Sequence, residues 1–187
     1  MFNAKRVGYF YLPRLETQRL LLRKVEMRDA ADLYAFGRDR EVARYVLWEA
    51  YRNEADARAY IRYLHRQYRS GLPGSWGIVY KPHSKMIGTI GFMWWNEDHS
   101  SAEIGYSLAR EYWNQGIMSE ALKEILRYGL SVMGLHRIEA QHESENPASG
   151  RVMEKAGMRK EGTLRGRLYN KGRYVDMELY AIVNNEQ

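Results

Sequence analysis

Apolar and polar positions recur with two different periods along the chain, and the switches between them mark out its elements. The run Arg19 to Val25 (RLLLRKV) is short and apolar, a strand candidate. From Met27 the spacing becomes helical (MRDAADLYAFGRD), with Asp29 near the start, where a carboxylate suits the helix dipole. A second helix opens around Asn53 and carries two stripes. Ala57, Tyr60, Ile61, Leu64 and Tyr68 fall on one face; Arg58, Arg62, Arg66 and Arg69 fall on another. The apolar stripe reads as core, the basic one as a solvated face or a surface for an acidic partner. SGLPGS then breaks the helix.

Three strands follow, SWGIVYK, KMIGTIGFMWW and SAEIGYSL. In the third, Ala102, Ile104, Tyr106 and Leu108 alternate with Ser101, Glu103, Gly105 and Ser107. Helical spacing returns from Gly116 to about Met133, through Met118, Ala121, Leu122, Ile125, Leu126 and Gly129. A strand (HRIEAQH), a short helix opened by ENPAS and a hairpin turning on NKG complete the pattern. This succession predicts a single α/β (α+β) domain over residues 1–187, with one central twisted mixed sheet of about six or seven strands and about four helices.

Composition narrows the classes. A chain of 187 residues, 45% hydrophobic and 28% charged, can bury one substantial core and is not disordered. No run approaches the ~20 apolar residues of a membrane span, and MFNAKRVGYFYLPRLE lacks a secretory apolar core. A soluble, cytoplasmic protein with no membrane partner is expected. The absence of cysteine removes disulfides, thiolate metal sites and a thiol nucleophile. A formal charge of +6 favours anionic partners, but no nucleic-acid recognition motif accompanies it, so no direct nucleic-acid binding is expected.

Three places carry candidate chemistry. In EYWNQGIMSEA, Gly116 stands at the mouth of a helix. It serves either a plain turn or a loop whose free N–H groups hold an anion, helped by the helix dipole. In SENPASGRVMEKAGM, Asn146 before Pro147 has the form of a helix N-cap, Ser149 lies in the first turn, and Gly157 ends the helix. Glu103, beside Gly105, is a solvated sheet residue or a general base at a place of close backbone approach. His65, His83, His99, His136 and His142 have no chelating spacing joined to a third ligand, so no metal is expected. The nucleophile elbow and the two glycine-rich nucleotide motifs are absent.

Four ordered stretches together resemble the GNAT superfamily of acyl-CoA-dependent N-acetyltransferases, nearest its RimJ/RimL-type branch. They are LETQRLLLRKVEMRDAADLY, AEIGYSLAREYWNQGIMSEAL, HRIEAQHESENPASGRVMEKAGM and EGTLRG with YVDMELYAI, and they span nearly the whole chain. The resemblance implies a GNAT fold and acetyl-CoA as cosubstrate. It implies that backbone donors of Gln115, Gly116, Ile117, Met118 and Ser119 cradle the pyrophosphate, although Met118 stands where the family has a small residue and Trp113 where it has Gln or Arg. It also implies Asn146 on the pantetheine arm, Ser149 as donor to the leaving thiolate, Glu103 as base, and a backbone N–H between Ile104 and Tyr106 facing the oxyanion. The expected acceptor is a protein N-terminal α-amine, attacked directly in a ternary complex. The alternatives are a small amine such as a polyamine or antibiotic-like compound, or a non-catalytic acyl-CoA-binding module. For a small cation, WWNEDHS (Trp94 to Ser100) offers two indoles and two carboxylates, unless it is only a hairpin turn. Tyr9, Phe10 and Tyr11 could pack on a second subunit, giving a homodimer, or cover their own sheet.

Overall fold

The apolar run after Arg19 becomes β2 (Leu20–Lys24), antiparallel to a two-residue β1 (Leu15–Glu16), in a computed structural model that describes residues 12–184. The Arg23 guanidinium and the Glu26 N–H converge on the buried carboxylate of Asp29 at 2.7–2.8 Å. That turns the chain through a 3-10 turn into α1 (Ala30–Gly37). The single turn α2 (Arg40–Ala43) starts where Asp39 accepts the Glu41 N–H at 2.9 Å. Asn53 accepts the Ala55 N–H at 2.8 Å to open α3 (Glu54–Ser70), which stops at the left-handed Gly71. Ala57, Ile61 and Leu64 are buried, and burying an Ile or Leu contributes about 1.5–3 kcal/mol. All four arginines of the other stripe are exposed, so that stripe is a solvated face.

A meander of β3 (Ser75–Tyr80), β4 (Lys85–Asn96) and β5 (Ser101–Leu108) follows. Then come α4 (Ile117–Arg127), β6 (Arg137–Glu143), α5 (Pro147–Lys155), β7 (Arg159–Asn170) and β8 (Arg173–Val183). The strands form one sheet in the order β1-β2-β3-β4-β5-β6-β8-β7. Every neighbouring pair is antiparallel except β5 with β6. The period of two along β3 assigns its faces. Ser75, like Thr89 on β4, lies on the side of the Tyr60 phenol of α3, whereas Trp76 turns to the other face. There it packs edge-on against Phe92 at 6.0 Å and Tyr128 at 5.9 Å.

The sheet thus has eight strands where six or seven were expected, and there are five α-helices where four were expected. β1 and α2 each span only about one repeat of their own pattern, so no period announces them. The helix expected to reach Met133 is regular only to Arg127 and continues as a π-helical turn, Tyr128–Val132. The turn crowds the sheet: a β-carbon at Gly129 would lie 2.6 Å from Ile138 Cδ1. Among the described residues no helix is long and apolar enough to cross a membrane. Tyr9, Phe10 and Tyr11, on which the homodimer expectation rests, lie outside the described residues.

Candidate functional site

The site begins where the sheet parts. β5 and β6 pair only from Ser101 with Arg137 to Ile104 with Ala140. Beyond that rung β5 runs on to Leu108 beside β4, and β6 runs on to Glu143 beside β8. Each strand keeps its antiparallel partner, so separation forfeits only the parallel rungs. The gap opens into a cleft of roughly 460 Å³, bounded by the end of β5, the loop before α4, the start of α5, and Glu41 to Val46 around the end of α2.

The loop before α4 places Asn114 and Gly116 in the left-handed region, at φ 59° and 71°. The first bond of the helix ladder runs from the Glu120 N–H to the Gly116 carbonyl, 3.0 Å. The N–H groups of Ile117, Met118 and Ser119 lie ahead of it, at the positive end of the helix dipole. Met118 is only 5% exposed and its side chain belongs to the core, while the residue still borders the cleft. A large side chain is accommodated because it points inward, in step with Ala121, Leu122 and Ile125. Trp113 donates its indole N–H to the Leu108 carbonyl at 2.8 Å and so pins the loop to the end of β5. Ile117 is buried, and Gln115 bonds the Glu111 carbonyl through its side-chain amide and does not line the cleft.

A buttress behind this loop escaped sequence reasoning. Glu120 accepts the Thr17 hydroxyl at 2.5 Å, the Arg19 N–H at 2.9 Å and the Arg19 guanidinium at 2.7 Å. Arg19 also donates to the Gln115 carbonyl at 3.0 Å. Burial alone would raise the Glu120 carboxyl; the Thr17 and Arg19 bonds outweigh it and hold the group below the ordinary carboxylate value. The partners are about a hundred residues apart, so no local pattern links them. On the loop's outer side a more open hollow includes Gly116, Ser119, Lys123 and Lys155. The i, i+4 spacing of Ser119 and Lys123 was the available signal for that basic extension.

Asn146 does not cap α5 as expected. It precedes the helix, but at φ −112° and ψ 64° its side chain makes no capping bond. Its backbone N–H is spent on the Glu143 carbonyl at 2.8 Å, and the residue borders the cleft. Ser149, in the first turn of α5, shares a hydrogen bond with the Tyr106 phenol at 2.8 Å, Oγ to oxygen. The phenol also stands 3.1 Å from the Ser149 carbonyl, as donor. When the phenol donates to that carbonyl, the serine hydroxyl donates to the phenol oxygen. Burial raises the Tyr106 phenol above its ordinary value, against the Ser149 bond, so it stays protonated at neutral pH. Sequence reasoning placed Tyr106 at the site through its backbone alone; its hydroxyl is the addition.

Glu103 is not brought into this group. It lies on the opposite face of β5 from Tyr106, outside the residues bordering the cleft. There it accepts the Trp94 indole N–H at 2.7 Å and the Gln141 amide at 3.4 Å, with Gln141 on the diverging strand β6. Burial raises the Glu103 carboxyl, Glu139 adds to this, and the Trp94 bond and Arg167 oppose it. Ile104 is buried in the core at the last parallel rung. WWNEDHS is the end of β4 and a tight turn, with Ser100 N–H on the Glu97 carbonyl at 3.2 Å. Among the described residues no three histidine or carboxylate side chains group to hold a metal.

Comparison with known proteins agrees with this architecture. Residues 19–159 match the model of the acetyltransferase (GNAT) domain. The uncharacterized N-acetyltransferase YoaA of Bacillus subtilis (strain 168) is 37% identical over 171 residues, covering 91% of this chain and 97% of that protein. The ribosomal protein uS5-alanine N-acetyltransferase of Escherichia coli (strain K12) is 30% identical over 182 residues, covering 90% of each. A crystal structure of a GNAT-family acetyltransferase from Bacillus anthracis superimposes with a TM-score of 0.83 at 30% identity, over 93% of this chain and 100% of that one. By sequence and by fold, the chain belongs to the GNAT acetyltransferase family.

Proposed function

We propose that the protein transfers an acetyl group from acetyl-CoA to a primary amine, with a protein N-terminal α-amine as the foremost acceptor, by direct attack in a ternary complex. The observation that carries this reading is the Tyr106–Ser149 hydroxyl pair, held at 2.8 Å in a cleft headed by the opening N–H groups of α4. The cosubstrate fits the residues present. Donors at Gly116 to Ser119, with Lys123 and Lys155 beyond them, suit its phosphates, and the uncommitted Asn146 side chain suits its amide-bearing arm. When bound, acetyl-CoA supplies a thioester carbonyl and a thiolate leaving group.

The residues divide the proton traffic between two sides of the parted strands. Glu103, raised by burial, takes a proton from the amine, directly or through water. Ser149, its hydroxyl held by Tyr106, donates a hydrogen bond to the departing sulfur, which leaves as thiolate and takes its proton from solvent. Backbone groups of β5 past Ile104, which have no partner on β6, face the developing oxyanion. An α-amine, titrating near ~8, needs less help to become neutral than a lysine near ~10.4. The name of the E. coli relative, which specifies a ribosomal-protein alanine, supports the same acceptor class, and a cytoplasmic location would suit it.

The test is a panel of N-terminal peptides and small amines incubated with acetyl-CoA, read as free thiol release and by mass spectrometry of the acceptor. Turnover confined to peptides with a free α-amine is the expected result. Preference for a polyamine would overturn the acceptor, and tight acetyl-CoA binding with no turnover would leave an acyl-CoA-binding module.

A further inference from the structure

The turn between β7 and β8 carries a lysine where the backbone favours glycine or asparagine. Asn170 pairs with Arg173, and the two residues between them, Lys171 and Gly172, have φ of 50° and 86°. Positive φ at both central positions is the type I′ combination. A residue with a long side chain is disfavoured there, and lysine lacks the short polar group that reconciles asparagine to it. Its ammonium is nonetheless fully engaged. It donates to the carbonyls of Ala43 at 2.5 Å, Val46 at 2.6 Å and Trp48 at 3.2 Å, using all three of its N–H bonds.

Those carbonyls belong to a stretch with little structure of its own. α2 ends at Ala43, and residues 44–53 contain neither helix nor strand. Yet Val42 and Val46 form one wall of the cleft. The same turn also holds the opposite side. Asn170, 5% exposed, donates to the Glu143 carboxylate at 2.6 Å, and Arg173 reaches the same carboxylate at 3.1 Å. Glu143, 2% exposed, ends β6, and its carbonyl takes the Asn146 N–H. One four-residue turn therefore grips the wall at 42–46 and the strand end that leads to Asn146 and Ser149. The Gly116 loop has a separate support, the Arg19–Glu120 buttress.

We propose that the part of the cleft walled by Val42 and Val46 receives the acceptor, and that the Asn170–Arg173 turn is a clamp that fixes its width, with Lys171 as its positioning residue. The clamp deepens the acetyl-transfer reading and rests on it for the identity of the occupant. Its reach is predicted by the three carbonyl bonds: without the ammonium, the hydrogen bonding described between the wall at 42–48 and the hairpin tip falls to the long Asn170–Val46 contact of 3.5 Å.

The chain contains no cysteine, so Lys171→Cys creates a unique thiol, and aminoethylation of that thiol restores an ammonium at nearly the reach of lysine. Lys171→Cys should raise the acceptor KM about 10-fold, with kcat and the acetyl-CoA Kd each within about two-fold. Amide hydrogen exchange should quicken in residues 44–50 and stay unchanged in α4. Aminoethylation should reverse both effects, whereas carbamidomethylation, which adds similar bulk without charge, should reverse neither. The clamp is overturned if exchange in 44–50 is unchanged, if acetyl-CoA affinity falls as much as acceptor affinity, or if the uncharged adduct rescues equally well. The exchange measurement needs no turnover, so failure of every amine would defeat the acetyl-transfer reading while leaving the clamp to be judged by exchange and its charge-dependent rescue.

Discussion

Replacing Glu103 with glutamine separates its two candidate roles, because the structure assigns opposite signs to them. The Glu103→Gln side chain keeps its shape and one acceptor oxygen for the Trp94 indole, now 2.7 Å away. A bond to a charged acceptor contributes about 1.5–3 kcal/mol and a neutral one about 0.5–1.5, so the exchange costs roughly 1 kcal/mol. Against this, the variant no longer buries an ionised carboxyl, the first cause of the raised value. A carboxyl raised in the fold lends stability below its unfolded value and withdraws it as pH rises through the folded value. The variant should therefore gain on the parent as pH rises from the ordinary carboxylate value through the raised folded one, and differ from it by no more than about 1 kcal/mol, or roughly 2–4 °C in Tm. Activity should move far more. If Glu103 is the base, kcat/KM measured by thiol release should fall about 10²–10⁴-fold, and the acidic limb of the pH profile should disappear. A loss under about 10-fold with the limb intact would refute the base assignment. A Tm drop well beyond the predicted range would show that the residue holds the sheet instead.

Ser149→Ala should lower kcat about 10²-fold while the acetyl-CoA Kd, by calorimetry, stays within about two-fold; an equal loss in both would remove its role as donor to the leaving thiolate. Gly116→Trp should weaken CoA binding at least about 10-fold, since a bulky side chain would stand at the mouth of α4 and the left-handed φ of 71° would strain it; unchanged affinity would end the pyrophosphate reading. Glu120→Gln should cost about 1–2 kcal/mol near pH 7, from three bonds that are partly exposed to solvent. Because the parent carboxyl is held low, that gap should close as pH falls through its folded value, which denaturant melts at several pH values would detect.

How much of this was legible depended on how local each signal is. The meander β3 to β5 followed from alternation, and the same alternation correctly set Glu103 against Tyr106. Gly116 before an apolar 3.6-residue pattern marked the start of α4, and the same pattern explains the inward turn of Met118, in step with Ala121, Leu122 and Ile125. Pro147 fixed the start of α5 but misled about Asn146. Side-chain capping goes with an extended backbone at the cap, and Asn146 enters α5 at φ −112° and ψ 64° instead. Arg19 with Glu120, and Lys171 with Ala43 to Trp48, were invisible for a simpler reason. Their partners lie 101 to 128 residues apart, and no periodicity spans such a distance. Tyr106 shows the intermediate case: its face was readable, while the use of its hydroxyl awaited the position of α5.

The parallel rungs between β5 and β6 have one more meaning. In the strand order they are the single junction between two antiparallel ribbons, β1 to β5 on one side and β6, β8 and β7 on the other. Four residue pairs make that seam, against seven between β6 and β8 and eight between β4 and β5. Within the sheet the molecule is thus two well-knit plates joined along a short seam, with the cleft at the seam's open end. Four rungs hold less than the pairings on either side, so the packing and the side-chain ties that brace the plates bear on the width of the cleft as well as the residues lining it.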